Sequence, residues 1–305
     1  MISKVNLRNR FNNYIILAND FLYEESYLKA YDAFEKAYSF SINITDKVDA
    51  LFEMADILLI LENYEKAKDI YEKIIMLDES RSGAYYGMAL VNDFLGGKVE
   101  KSIEFYKKAI KYDKNYDRAY YYLAHAYDKI GDKENALKNF YKCVEIDPMD
   151  FITYNDIGSI YEERGNLTEA KKFCNKSLSI SPEYFRALFN MGVIARKMGD
   201  SDKAMDYYIR AKESYPDPYI YLNMSAIFIE RADFEGAIRI LNEGIDFNPD
   251  SVNLFYNRAC SKANLGRIEE AVKDLREAIK INPDSILWAK EDPDLMNIVK
   301  GDYIW

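Results

Sequence analysis

The chain has 305 residues, of which 49% are hydrophobic and 30% are charged, and its formal net charge is -10. This composition supplies both an apolar core and a large solvated surface, so it excludes a disordered chain. The negative charge repels a phosphate backbone and an anionic membrane surface at long range, which argues against nucleic-acid and membrane partners.

The N-terminus and the cysteines bear on location. Residues 1–10 carry charged and amide side chains where a signal peptide needs an apolar stretch. No run in the chain approaches the roughly 18 apolar residues of a membrane-spanning helix. Cys143, Cys174 and Cys260 form no CxxC pair and are predicted to be reduced thiols. These features predict a cytoplasmic protein, and the richness in Ile, Lys, Asn and Tyr suggests a bacterial source.

A small residue recurs along the chain at intervals of 33 to 37 residues. It is followed four positions later by an aromatic or aliphatic residue and seven positions later by another small one. The members of this ladder are Ala30, Ala67, Ser102, Ala136, Ala170, Ala204, Ala237 and Ala271. A period this regular indicates stacked supersecondary units, each of which buries its apolar face against its neighbours.

The fourth unit shows the pattern most completely. One apolar stripe at i, i+3, i+4 and i+7 consists of Tyr120, Leu123, Ala124 and Tyr127. A facing stripe consists of Ala136, Phe140 and Cys143. Gly131 separates the two stripes and Pro148 follows the second. This series resembles the tetratricopeptide repeat, and the resemblance extends over about residues 11–285.

The resemblance implies an all-α fold, a right-handed superhelical solenoid of eight helix-turn-helix repeats with a short C-terminal helical cap. Residues 1–10 are predicted to be an N-terminal extension, and residues 286–305 a cap and tail. The repeats are predicted at about 11–47, 48–82, 83–116, 117–150, 151–184, 185–217, 218–251 and 252–285.

The turns inside the repeats are predicted from glycine, which tolerates the left-handed conformation needed where a first helix stops. These glycines are Gly131, Gly165, Gly199 and Gly266. Repeats 1 to 3 depart from the pattern, because Glu25 and Glu62 replace the glycine and Gly96–Gly97 carries one extra residue. About three additional residues near residues 41–46 lengthen the first connection.

The C-terminal segment is predicted to cover the apolar stripe that a solenoid end exposes. Residues 286–299 contain apolar residues that can form two short helices. The following segment, Gly301–Trp305, adds two aromatic residues after a helix breaker. Two interpretations of this tail are open: it docks against repeat 8, or it is a ligand-like segment that enters the groove of its own chain or of a neighbour.

The sequence gives no sign of catalysis. His125 is the only histidine, and no GxGxxG, GxxxxGK[ST], HExxH or GxSxG string occurs. Carboxylates at helical spacing fit solvated faces or partners of lysine, as in Glu269 and Lys273. Cys143 and Cys174 occupy core positions, whereas Cys260 is predicted to be more accessible. We therefore expect no enzymatic activity, no cofactor and no metal.

The family resemblance implies that the first helix of each repeat lines a groove in which partners bind. Positions 2, 5, 6 and 9 of each repeat, together with two basic residues of repeat 6, supply the candidates. The predicted partner-binding residues are Tyr121, Tyr122, His125, Asn155, Arg186, Phe189, Asn190, Arg196, Lys197, Asn223, Tyr256 and Asn257.

Asn190, Asn223 and Asn257 occupy position 6 of three successive repeats. They resemble the asparagine ladder in the tetratricopeptide superhelix of O-GlcNAc transferases. A primary amide both donates and accepts, so such a row can pair with the N–H and C=O groups of an extended peptide. The alternative is that these amides bond within the solenoid. The aromatic candidates likewise either form pockets for a partner or pack between adjacent first helices.

Charge along the first helices is uneven. Repeats 2 and 3 carry the carboxylates Asp49, Glu53, Asp56 and Asp93. Repeat 6 carries the basic residues Arg186, Arg196 and Lys197. This gradient would orient a partner that has one basic and one acidic end.

These features predict a scaffold, monomeric or weakly homo-oligomeric, that binds an extended segment of a partner protein or peptide in the groove of repeats 4 to 8. Two other functions stay open. One is a peptide-responsive regulator that acts through a separate output partner. The other is a self-assembling structural protein in which the tail Tyr303–Trp305 bridges copies.

Overall fold

A computed structural model describes residues 4–300, which form α-helices joined by short turns and contain no strand. The first sixteen helices follow one another as eight pairs, one for each predicted repeat. Their bounds are α1 (Lys4–Tyr23), α2 (Tyr27–Phe40), α3 (Ile44–Ile60), α4 (Tyr64–Leu77), α5 (Ser82–Phe94), α6 (Val99–Tyr112), α7 (Asp117–Lys129), α8 (Lys133–Ile146), α9 (Phe151–Glu163), α10 (Leu167–Ile180), α11 (Phe185–Lys197), α12 (Ser201–Ser214), α13 (Pro218–Glu230), α14 (Phe234–Phe247), α15 (Val252–Asn264), α16 (Ile268–Ile281), α17 (Ser285–Glu291) and α18 (Met296–Lys300).

The chain divides into two compact units, Met1–Pro148 and Met149–Trp305. Unit 1 contains α1–α8, and unit 2 contains α9–α18. Within each unit, a helix packs mainly against its neighbours in sequence. In unit 2 the first helices of consecutive repeats also touch, as α9 does with α11 and α13 with α15. The all-α repeat architecture predicted from the sequence is confirmed, whereas the exact repeat boundaries stay a prediction.

The ladder of small residues lies in the core of both units. All eight members have an exposed fraction of 0%. The large residues four positions later are buried as well, including Phe34, Tyr106, Tyr208 and Leu275. A small side chain lets the two helices of a pair approach closely, and the larger one fills the space beside the next pair. The two units therefore have the same kind of interior.

Every repeat turns through one residue with positive φ. The predicted glycines adopt φ values of 79° at Gly131, 74° at Gly165, 86° at Gly199 and 74° at Gly266. Glu25, Glu62 and Ala232 adopt the same conformation, with φ near 55°. An L-residue with a Cβ atom pays a steric cost in this region, so the repeat geometry outweighs the local preference at these three turns.

The first repeat differs from its predicted bounds. Residues 1–10 were expected to form an extension, but α1 begins at Lys4. Arg8 forms an ion pair with Asp46, and Phe11 is buried, so contacts with the following helices hold the first turns of α1. Helix α3 begins at Ile44, where the side chain of Asn43 accepts a hydrogen bond from the Asp46 N–H at 2.7 Å. An N-cap of this kind satisfies a backbone donor that the helix itself cannot use.

The predicted cap is present as α17 and α18. Ala289, Leu295 and Ile298 are buried in a cluster with Phe255 and Leu275 of the last repeat. This contact covers the apolar stripe that the last helix pair would otherwise expose. The tail Gly301–Trp305 lies outside the described residues, so both interpretations of it stay predictions. Across residues 4–300, no helix is both long enough and apolar enough to cross a membrane.

Candidate partner-binding site

A cleft of about 640 Å³ lies between the first helices of repeats 5, 6 and 7 in unit 2. Helices α9, α11 and the start of α13 form its walls, and the connection before α13 forms part of its edge. We call it the amide cleft. Its lining consists of Asn155, Asp156, Ser159, Phe185, Arg186, Phe189, Asn190, Tyr215, Asp217, Tyr219 and Ile220.

Helical spacing explains how these side chains meet. Asn155, Asp156 and Ser159 fall within two turns of α9, and Arg186, Phe189 and Asn190 stand at i, i+3 and i+4 on α11. Residues at these spacings share one helix face, and the contact between α9 and α11 brings the two faces side by side. Four of the predicted partner-binding residues therefore line one cavity: Asn155, Arg186, Phe189 and Asn190.

The two asparagines of the cleft are bonded to each other. Asn190 donates from Nδ2 to Oδ1 of Asn155 at 2.9 Å. Asn155 in turn donates from Nδ2 to Oδ1 of Asp156 at 3.2 Å. Asn155 is 3% exposed, whereas Asn190 is half-buried and lines the cavity. Asn155 is therefore a buried link between its neighbours, not the exposed groove residue that the sequence predicted.

Aromatic rings form one edge of the amide cleft. Phe185 and Tyr215 pack with their ring centroids 4.7 Å apart. Tyr215 is 53% exposed and Tyr219 is 61% exposed, which is unusually high for large aromatic side chains. Arg186 is also exposed, and its guanidinium lies 5.7 Å from the centroid of the Phe185 ring. The cleft thus combines amide, aromatic and cationic groups.

Two of the three predicted basic residues already have acidic partners. Arg196 forms an ion pair with Glu230, and Lys197 forms one with Glu162. Arg196 also lies 3.5 Å from Oδ1 of Asn223. A second cleft, of about 420 Å³, has Arg196, Lys197, Tyr208, Asn223 and Glu230 in its lining. Because both cations are neutralised locally, the basic end of the predicted charge gradient rests mainly on Arg186.

Asn223 and Asn257 differ from Asn190 in their surroundings. Asn223 donates from Nδ2 to the backbone oxygen of Tyr219 at 2.9 Å, and its Oδ1 accepts from Tyr208 Oη at 3.4 Å. Asn257 is half-buried on α15. The side-chain amides of Asn190 and Asn223 thus bond to groups inside the solenoid. The alternative stated for the asparagine row applies most directly to Asn223.

Tyr256 does not fit its predicted place in the groove. Its exposed fraction is 9%, and its hydroxyl donates to Oδ2 of Asp292 at 2.9 Å. The ring of Trp288 meets it edge to face, with centroids 5.8 Å apart. Asp292 and Trp288 belong to the cap segment, which therefore covers this side chain. A contact between Tyr256 and a partner stays a prediction, and the cap would have to move for it to form.

The three predicted residues of unit 1 form an aromatic cluster on α7. Tyr121 and His125 have ring centroids 4.5 Å apart, and His125 lies 5.0 Å from Phe140. Tyr122 is partly exposed and packs against Tyr86, with ring centroids 5.8 Å apart. These rings contact one another within unit 1, so part of their surface serves packing between helices.

Three carboxylates, Asp49, Glu53 and Asp56, lie on one face of α3. Partial burial, followed by Asp56 and Asp49, raises the pKa of Glu53. Partial burial also raises the pKa of Asp56, although the hydroxyl of Tyr71 donates to this carboxylate at 3.4 Å and lowers it. All three residues are exposed to water. We call them the acidic face of unit 1.

The cysteines are buried or shielded. Burial, followed by the nearby charges of Glu162 and Asp156, raises the pKa of Cys174 to about 12. Cys260 lies within 4.8 Å of carboxylate oxygens of Asp292 and Asp294, and burial is the main cause that raises its pKa. A protonated thiol is a poor metal ligand. We assign no metal to this group.

Seven of the eleven residues that line the amide cleft were not among the predicted partner-binding residues, and Phe185 and Tyr215 are two of them. Phe185 is the first residue of α11, and Tyr215 is the C-cap of α12, just before Pro216. The sequence did contain a signal for Tyr215. The residue before the proline that follows the second helix is Asp147, Ser181 or Asn248 in three other repeats, all small polar residues, and it is Tyr215 in repeat 6. A large aromatic residue at this exposed position, where the other repeats have a small polar one, indicates a role other than ending the helix.

Comparisons with known proteins agree with the fold. Profiles described as tetratricopeptide repeat match residues 48–81, 117–150, 150–217 and 252–285, and a profile described as TPR repeat matches residues 93–131. Stress-induced-phosphoprotein 1 of Caenorhabditis elegans is 22% identical over 158 residues, which are 41% of this chain and 49% of that protein. Protein O-mannosyl-transferase TMTC3 of Homo sapiens is 23% identical over 255 residues, which are 82% of this chain and 28% of that protein. The chain thus spans half or less of the length of these curated relatives.

Solved structures show the same arrangement of helix pairs. PilF of Pseudomonas aeruginosa has a TM-score of 0.62 at 16% identity and covers 72% of this chain and 98% of its own. The Cut9–Hcn1 hetero-tetramer of the APC/C has a TM-score of 0.61 at 15% identity and covers 90% of this chain and 52% of its own. A tetratricopeptide repeat protein of Parabacteroides merdae has a TM-score of 0.60 at 17% identity, with 78% and 93% covered. At these identities the likeness shows the fold alone.

Proposed function

Because the chain belongs to the tetratricopeptide repeat family, whose fold supports protein–protein interaction, we propose that it is a non-catalytic scaffold that holds an extended segment of a partner protein. The observation that carries the proposal is the amide cleft. It has a volume of about 640 Å³ and lies on the first-helix face of unit 2. Its volume falls within the range of about 300–1,000 Å³ that is usual for ligand pockets.

The chemistry of the cleft suits a peptide. An extended peptide offers an N–H and a C=O at each residue, and a primary amide can pair with both. Asn190 offers such an amide at the cleft surface. Phe189, beside it, supplies apolar contact area for a partner side chain. This combination gives affinity from the peptide backbone and selectivity from the side-chain pocket.

The proposal centres on repeats 5 to 7 instead of the whole of repeats 4 to 8. At repeat 8, Tyr256 is covered by the cap. At repeat 6, Arg196 and Lys197 are already paired with glutamates, so a partner would have to displace those contacts to reach the cations. Asn190 and Phe189 are the residues on which we expect partner binding to depend most.

The test uses the full chain, immobilised, and a phage-displayed library of random dodecapeptides. Enriched peptides are synthesised with a fluorophore, and their affinities are measured by fluorescence anisotropy. We expect Asn190→Ala to weaken binding by about tenfold, which corresponds to the loss of one or two hydrogen bonds. The matched control is Asn175→Ala, because Asn175 is exposed on α10, a second helix. Its affinity should equal that of the unaltered chain.

Either of two results would contradict the proposed function. The first is that no peptide is enriched over a bare-surface control. The second is that enriched peptides bind Asn190→Ala as tightly as the unaltered chain, which would put their site elsewhere. A cytoplasmic location and a monomeric or weakly oligomeric state remain part of the proposal, on the strength of the sequence features described above.

A further inference from the structure

Three side chains of the amide cleft form a directed chain of hydrogen bonds. Asn190 donates to Asn155 at 2.9 Å, and Asn155 donates to Asp156 at 3.2 Å. The middle residue is 3% exposed, so water cannot easily replace either bond. This chain fixes the orientation of the Asn190 amide, because one of its N–H groups is committed to Asn155. The Oδ1 atom and the second N–H of Asn190 are left for a ligand.

The aromatic edge of the cleft is suited to an aromatic partner side chain. Tyr215 and Tyr219 are more than half exposed, and Tyr215 packs against Phe185 with centroids 4.7 Å apart. Aromatic rings prefer offset or edge-to-face contact with other rings. Exposed rings around a cavity also resemble the anchor pockets in which interfaces concentrate their binding energy.

The cation of the cleft is available to a carboxylate. Within residues 4–300, Arg186 forms no ion pair, and its guanidinium faces the Phe185 ring. The two acids of the lining are engaged with backbone or amide donors. Asp217 accepts from the Tyr219 N–H at 2.9 Å, as the N-cap of α13, and Asp156 accepts from Asn155. A guanidinium at the mouth of such a cleft pairs well with an incoming carboxylate.

We propose that the amide cleft binds an extended peptide in which an aromatic residue stands next to Asp or Glu, and that Asn155 is the positioning residue for Asn190. The inference rests on the proposed function and names its ligand class. The partner's ring packs against Phe185, Tyr215 and Tyr219, and its carboxylate pairs with Arg186. The backbone of the same segment bonds to the oriented amide of Asn190.

The first arm of the test reads the ligand class from the dodecapeptide selection described above. We expect enriched peptides to share an aromatic residue adjacent to Asp or Glu. In a synthetic enriched peptide, replacing that acid by its amide should lower affinity for the unaltered chain by about tenfold. The same replacement should have little effect on binding to Arg186→Gln, because this variant lacks the guanidinium with which the peptide carboxylate pairs.

The second arm isolates the role of Asn155 with a double-mutant cycle. Asn155→Ala should weaken peptide binding several-fold in the unaltered background. In the Asn190→Ala background the same change should have no further effect, because Asn155 acts only through Asn190. A purely structural role would weaken binding equally in both backgrounds. Asn155→Ser, which disturbs packing less, replaces Asn155→Ala if the latter lacks the helical circular dichroism of the unaltered chain.

The outcomes separate this inference from the proposed function. If no peptide is enriched, both are overturned. If peptides are enriched and depend on Asn190, but share no acidic–aromatic pair, the assigned ligand class is wrong while the scaffold function stands. If Asn155→Ala weakens binding equally in both backgrounds, the positioning role is wrong. Three results together support the inference. The enriched peptides share the acidic–aromatic pair, their binding depends on Arg186, and Asn155→Ala has no further effect in the Asn190→Ala background.

Discussion

The first-helix faces of the two units differ although their interiors follow one rule. In unit 1 the face carries the carboxylates of Asp49, Glu53 and Asp56 on α3 and a group of tyrosines. In unit 2 the face carries the amide of Asn190 and the guanidinium of Arg186. The small ladder residues are fully buried in both. The repeat thus constrains the buried stripe of a helix, whereas the neighbouring exposed stripe is free to take on different chemistry.

The largest expected effect tests whether the two interiors are equivalent. Tyr106 in unit 1 and Tyr208 in unit 2 are both fully buried, four positions after a ladder residue. Tyr106→Ala and Tyr208→Ala should each lower the free energy of unfolding by about 3–5 kcal/mol, because each leaves a large cavity. Urea denaturation followed by circular dichroism measures both. A loss confined to one unit would break the equivalence.

The hydroxyl groups of the same two tyrosines sharpen the comparison. Tyr106 Oη donates to the carboxylate of Asp93 at 2.9 Å, and Tyr208 Oη donates to the amide of Asn223 at 3.4 Å. A hydrogen bond to a charged acceptor contributes more than one to a neutral acceptor. Removal of the hydroxyl alone should therefore cost more in Tyr106→Phe than in Tyr208→Phe.

A buried ion network in unit 2 gives the next largest effect. The carboxylate of Asp274 accepts from Arg258 at 2.7 and 2.8 Å and lies 2.8 Å from Nζ of Lys262. Asp274→Ala removes the carboxylate nearest to both largely buried cations, and Lys262 keeps only the more distant contact with Glu270 at 3.8 Å, so the change should cost about 3 kcal/mol. The corresponding position of repeat 4 is Asn139, whose amide donates to the Asn135 carbonyl. Asn139→Ala should cost about 1 kcal/mol or less, as measured by urea denaturation.

The turns offer a smaller, stabilising effect. Glu25, Glu62 and Ala232 have φ near 55°, where the remaining turns carry glycine. Replacing each of the three by Gly should raise the free energy of unfolding by about 0.5–1 kcal/mol, because glycine adopts this conformation without the Cβ clash. Gly165→Ala is the reverse control and should destabilise by a similar amount. Thermal melts of the three glycine variants and of Gly165→Ala measure these effects. If all four melting temperatures shifted in the same direction, the strain at these turns would be contradicted.

The smallest effect concerns the acidic face. The pKa values of Glu53 and Asp56 are raised in the folded state. At pH values between the ordinary carboxyl pKa and these raised values, the folded chain therefore binds more protons than the unfolded chain. Stability from this source falls as the pH rises through that window and is recovered below it. The unaltered chain should therefore gain more stability between pH 7 and pH 5 than a Glu53→Gln, Asp56→Asn variant. If the urea midpoint of both proteins rose equally between pH 7 and pH 5, the acidic face would not be the cause of the gain in stability.

Helix positions and turn positions followed from the sequence because both depend on local spacing. Apolar residues at i, i+3, i+4 and i+7 define a helix face without reference to any other part of the chain. Gly131 and its equivalents mark where a helix must stop. The start of α1 was misjudged for the opposite reason. Its first turns are held by long-range contacts, such as the ion pair between Arg8 and Asp46, which no local pattern displays.

Four of the eleven residues that line the candidate site could be predicted from the sequence. Arg186, Phe189 and Asn190 were found because their positions within one repeat define a face. Tyr215 was not, because it joins the cleft from the connection between two repeats. The position pattern assigned the same role to Asn155 and Asn190, although Asn155 is buried and donates to Asp156, whereas Asn190 lines the cavity.

The sequence by itself determined the repeat, its helices, its turns and the residues of its core, since these depend on a period that is repeated eight times. Only the tertiary structure decided which face residues stay open to a partner. The cap covers Tyr256, and glutamates from neighbouring helices neutralise Arg196 and Lys197. The physical reason is that these side chains are long and polar and bind to groups about one repeat away in sequence. Only the packing of the helices brings such groups close enough to form the contact.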